Sequence, residues 1–135
     1  MAHKRKSIRD AAITLLTGLT TTKANVFASR VYPLKSASLP GLLIYTVDEE
    51  SEQAGDGLDR MLTLAVEGHV QAVGGAIDDT LDTIAEEVEA AIPEGTKFSG
   101  NAINSYLAST EIEFDAESKK PVGIITLNFN IEYLT

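Results

Sequence analysis

Residues 59–92 read DRMLTLAVEGHVQAVGGAIDDTLDTIAEEVEAAI, and this stretch holds a strand signal and a helix signal joined by one glycine pair. From Leu62 the residues alternate: Leu62, Leu64, Val66, Gly68 and Val70 take one side, Thr63, Ala65, Glu67, His69 and Gln71 the other. That is the period of a strand with one buried face. After Gly74-Gly75, the apolar residues Ile77, Leu81, Ile84, Ala85, Val88, Ala91 and Ile92 recur at spacings of three and four, with Asp78 as the expected cap and Pro93 as the stop. A strand with one oily face followed by a helix with one oily stripe is satisfied by folding the helix back over the sheet.

Working outward, Ser7 is the expected cap of a first helix carrying Ile8, Ala11, Ala12, Leu15, Leu16 and Leu19, with Asp10 in its first turn. Residues 26–32 are β-rich and stop at Pro33, and Leu42–Val47 is apolar on both faces, as a strand covered on both sides would be. Asp48–Gly57 has five acids and two glycines and reads as an exposed loop or a mobile tip between two strands, one that orders on a partner. Residues 93–104 read as a loop or short strand around Phe98. Two alternating strands close the chain. Tyr106, Ala108, Thr110, Ile112 and Phe114 share one side of the first, and Ile125, Leu127, Phe129, Ile131 and Tyr133 one side of the second, with a hairpin over 115–121. The expected fold is α+β: a mainly antiparallel sheet of about five strands with two helices on one face, forming a single domain over 1–135 with residues 1–6 flexible.

Charge is unevenly placed. Residues 1–47 carry seven Lys/Arg against one acid, a balance of +6, and residues 48–135 carry four against nineteen, a balance of −15, which together give the net −9. A subunit polarised in this way has a reason to meet copies of itself or a charged partner, with Arg30, Lys35 and Arg60 as bridging bases and Asp48, Glu49, Glu50 and Glu52 on the acidic side. The chain has no cysteine, so disulfides and thiolate zinc sites are excluded, and no apolar run reaches the roughly 18 residues of a spanning helix.

Catalytic constellations are weak. Only His69 lies inside the expected folded region, mid-strand on the more polar face of a strand whose other face is core, and Asp78, Asp79 and Asp82 would repel an anion from the helix start after Gly74-Gly75. Neither a cofactor nor a metal is expected. Glu111, Glu113 and Asp115 project from one strand face roughly 6 to 7 Å apart, without the wrapping loop a calcium site needs. They suit a solvated or channel-lining acidic face. The basic start Lys4, Arg5, Lys6 and Arg9 has no interleaved aromatics and suits an acidic protein surface at least as well as nucleic acid.

Taken in order, the helix Ile8–Leu16, the segment Arg30–Leu34 leading to Leu39-Pro40-Gly41 and Tyr45, the acidic loop, Arg60–Glu67, Leu81–Glu89 and the closing strand to Tyr133 resemble the tail terminator proteins of long-tailed bacteriophages. The resemblance implies a non-enzymatic virion protein assembled in the host cytoplasm. It would form a homo-oligomeric ring, usually a hexamer, at the head-proximal end of the tail, touching the tail tube protein and the head-tail connector or neck. Genomic DNA would pass through without specific binding, and no membrane is involved. Two alternatives stand beside it: another phage neck or head-tail completion protein, and a cellular α+β ligand-binding module.

Overall fold

The computed structural model describes residues 3–28, 39–71, 76–115 and 122–135. Helix α1 spans Lys4–Leu16 and helix α2 Ile77–Ala91; the strands are β1 (Val26–Phe27), β2 (Gly41–Ala54), β3 (Gly57–Gln71), β4 (Asn104–Asp115) and β5 (Val122–Leu134). They form one sheet in the order β1-β2-β3-β5-β4, parallel between β1 and β2 and antiparallel elsewhere. This is the α+β arrangement that the periodicity predicts.

The alternation in β3 and β5 decides which way the sheet faces. Leu62, Leu64, Val66 and Val70 pack with Ile125, Leu127, Phe129, Ile131 and Tyr133 in one core, and both helices lie on that side. From α2 come Ile77, Leu81, Ile84 and Val88, and from α1 Ile8, Ala12 and Leu16. Leu15 falls off the stripe and stays 40% exposed. Two glycines set the helix close to the sheet: a Cβ on Gly123 would lie 2.4 Å from Ile77 Cγ2, and one on Gly68 would lie 2.9 Å from Ile84 Cγ2. Only a residue without a side chain allows this approach.

Several local expectations give way. The cap of α1 is His3, whose Nδ1 accepts from the Arg5 amide at 3.0 Å, and neither Ser7 nor Asp10 sits at the start. Residues 3–6 therefore form the cap and first turn, held by Lys4 Nζ donating to the Leu134 carbonyl at 2.9 Å. For α2 the cap is Ala76, with no side-chain bond, instead of Asp78. The acidic stretch 48–57 is not a loop: β2 runs on to Ala54, and a two-residue turn at Gly55-Asp56 returns the chain into β3, with Ala54 opposite Gly57. Gly55 has φ +61°, the left-handed backbone a tight hairpin takes at its first central residue. Of the β-rich 26–32, Val26–Phe27 is strand; residues 29–38, the Gly74-Gly75 pair and residues 116–121, where a hairpin is expected, lie outside the described residues.

Two bulges shift the alternation. In β2 the register slips between Thr46 and Asp48, which leaves Val47 45% exposed at the end of an otherwise buried run. In β4 it slips between Leu107 and Ser109, so Tyr106 and Ala108 do not share a face with Thr110, Ile112 and Phe114 as alternation alone implies. One extra residue in a strand turns every later side chain over.

Candidate functional site

The side of the sheet without helices is the chemically distinctive surface. An antiparallel sheet can leave one face in water, and here that face collects acids from four strands. By register, β2 contributes Asp48, Glu50 and Glu52, opposite Thr63, Met61 and Asp59 of β3. Glu67 lies opposite Thr126, and Met61 opposite Glu132, across β3 and β5. Glu111 and Glu113 of β4 face Thr126 and Ile124. The four long strands contain one Lys or Arg, Arg60, and its register puts it on the helix side with Tyr133. Among the described residues, this face therefore carries acids and no Lys or Arg.

Its centre is an open trough of about 600 Å³ lined by Tyr45, Asp48, Thr63, Glu67, Glu111, Glu113, Thr126, Asn128 and Asn130 among others. Neutral polar bonds tie its floor together across strands: Asn130 Nδ2 donates to Tyr106 OH at 3.1 Å and Asn128 Nδ2 to Ser109 Oγ at 3.1 Å. Glu67 accepts from the Tyr45 hydroxyl and sits 2.9 Å from His69 Nε2. His69 is thus a partner of a wall carboxylate. Near the hairpin, a bond to the Asp59 carboxylate raises the Glu132 carboxyl above its ordinary value, so this rung gives up its proton late.

The residues singled out in the sequence divide into three groups. Glu111 and Glu113 lie on this face, exposed, and are joined there by Asp48, Glu50 and Glu52; for Asp115 the strand pairing with Val122 is described. Arg30 and Lys35 lie outside the described residues. Glu49 and Arg60 are bound within the subunit on the opposite side of the sheet. Glu49 Oε2 accepts from Arg5 Nη1 and from Arg60 Nη1, both at 2.8 Å, and Glu49 Oε1 accepts from the Tyr133 hydroxyl. Arg60 Nε donates to Thr135 Oγ1 at 2.9 Å, and the His3 ring stands edge-on to Tyr133. This knot ties the first turn of α1 to β2, β3 and β5. The Gly55-Asp56 turn was the sequence signal for it, because a two-residue hairpin sets Glu49 and Arg60 diagonally on one face.

The family model described as phage minor tail protein U matches residues 3–133. Among solved structures, a chain of the "Virion of native gene transfer agent (GTA) particle" is similar in fold, with a TM-score of 0.56 and 17% identity over 98% of this chain and 92% of that one. No curated protein sequence matches this one. The family match takes in both helices, all five strands, the acidic face and the Glu49 knot, and the chain belongs to the phage minor tail protein U family, structural proteins of the virion tail.

Proposed function

We propose that this chain forms a ring, a hexamer by likeness to tail terminators, that caps the tail tube at its head-proximal end, stops tube polymerisation and offers the surface on which the head or connector docks. The role is structural, with no catalysis. The helix-free face of the sheet looks into the channel, and DNA passes along it. One observation carries this reading: acids from β2, β3, β4 and β5 converge on a single face whose described residues include no Lys or Arg. Each phosphate held by a cation strengthens DNA binding, so a wall rich in carboxylates, with no Lys or Arg among its described residues, repels the duplex and lets it slide. An acidic face turned outward would gain solubility from far fewer carboxylates, since like charges on neighbouring strands destabilise the sheet that carries them.

The test replaces Glu111, Glu113 and Asp115 together with lysine in assembled particles. Particles are expected to form in normal yield and to release DNA several-fold more slowly, with the delay shrinking as salt rises and phosphate contacts weaken. Unchanged release kinetics would remove these strands from the channel wall. The terminator role has its own readout: native mass measurement of the chain alone and with tube protein, where a closed ring bound at a tube end is expected and a monomer in both would end the proposal.

A further inference from the structure

The helix side of the sheet has an uncovered strip. Helix α2 packs over β3 and β5 and α1 over β1 and β2, so the β4 edge depends on the 93–103 segment for cover. That segment covers the first half of β4: Phe98 and Ala102 enter the core, and Ser105 Oγ donates to the Thr96 carbonyl at 2.8 Å. Beyond the bulge at Ala108 the cover ends among the described residues. Ile112 and Phe114, on the helix side by register, are 58% and 57% exposed. An edge strand with an open backbone and bare apolar side chains is a ready association site.

The wall beside this strip is acidic. Asp78, Asp82, Glu86 and Glu89 recur at spacings of four, four and three and are all exposed, one stripe along α2. Glu87, on the opposite flank of the helix, bonds Thr21 in the connection after α1. The stripe therefore lies on the flank turned away from α1, towards β4. At the far edge of the sheet the balance is reversed: on α1, Lys6 is exposed and bonded to Asp10 at 2.7 Å, and the partly exposed Arg9 beside them leaves the flank with one net positive charge.

Resting on the ring reading, we infer that the strip formed by Ile112, Phe114 and the acidic flank of α2 receives the basic flank of α1 from the next copy of this chain. The two patches sit at opposite sheet edges and differ from each other. The contact is therefore head-to-tail, the kind that closes into a ring when its rotation permits. It also leaves the helix-free face clear of neighbours.

A charge-swap experiment tests it. One variant carries K6E and R9E, a second D82K, E86K and E89K, and each is measured by native mass and sedimentation alongside circular dichroism. Each alone places like charges across the contact, and its assembly constant is expected to weaken by at least about tenfold. Mixed in equal amounts, the two variants are expected to recover assembly as alternating copies, and a chain carrying all five changes is expected to recover it alone. Phe114→Ser in the native chain is expected to weaken assembly without altering its salt dependence. Either charge variant assembling like the parent, or a folded mixture that stays dissociated, would overturn this surface while leaving the ring intact. A parent chain that never assembles would instead overturn the ring.

Discussion

Replacing Leu81 with alanine is expected to lower the stability of the fold by about 2 to 5 kcal/mol, the range for removing a fully enclosed leucine from a core that cannot collapse around the gap. Leu81 is 1% exposed, and its Cδ1 stands 3.0 Å from the point where a Cβ on Gly123 would lie. The opposite change, Gly123→Val, puts atoms where Ile77 and Leu81 already are and must lift the start of α2 off β5. Overpacking of this kind costs about 1 to 3 kcal/mol or more. Leu15→Ala is the matched control, since its side chain is 40% exposed and its loss should stay within about 1 kcal/mol. Urea midpoints at one protein concentration, with the slope checked for constancy, separate these outcomes. Equal costs at Leu81 and Leu15 would mean that α2 is not seated as described.

The parts of this fold that local pattern reveals are those in which one period runs unbroken. Leu62 to Val70, Ile125 to Tyr133 and the stripe of α2 repeat every second or every third and fourth residue, and each faces the core as the period requires. Pattern fails where one residue is inserted. Val47 and Ala108 are bulges, and nothing about a valine or an alanine marks them as such; the partner strand decides where the slip falls. The acidic stretch 48–57 misleads for a different reason. A hairpin is held by backbone hydrogen bonds and tolerates carboxylates on its wet face, so charge density is a poor guide to loop there. Helix α1 starts earlier than its local pattern suggests because tertiary anchors, Arg5 on Glu49 and Lys4 on the Leu134 carbonyl, add a turn before Ser7. The acidic face was half legible. That Glu111 and Glu113 share a side follows from spacing, whereas their company with Glu67, Asp48 and Glu50 depends on the order β2-β3-β5-β4, which joins residues far apart in the chain.

The Glu49 knot should make stability fall at both ends of the pH scale, and the two ends have different owners. Burial opposes ionisation of Glu49, but the Tyr133 hydroxyl and the Arg60 and Arg5 guanidinium groups outweigh it and hold the carboxyl below its ordinary value. A depressed carboxyl stabilises the fold above its unfolded value, and that contribution is lost as pH falls through the folded one. Tyr133 is shifted the other way, from 10.0 to about 12, first by burial and then by the neighbouring Glu49 charge. Its contribution is complete below the unfolded value near 10 and is lost as pH rises from there towards about 12. Tyr133→Phe keeps the ring in the core and removes the proton. It is expected to cost about 1.5 to 3 kcal/mol at neutral pH, the worth of a hydrogen bond to a charged acceptor, and to flatten the alkaline decline. Glu49→Gln is expected to cost a similar amount while flattening the acid decline, because Arg60 and Arg5 lose their shared counter-ion. Urea midpoints taken across acid, neutral and alkaline pH for the three proteins decide it. If Tyr133→Phe declined above pH 10 as steeply as the parent, the tyrosine hydroxyl would not be the group that titrates there.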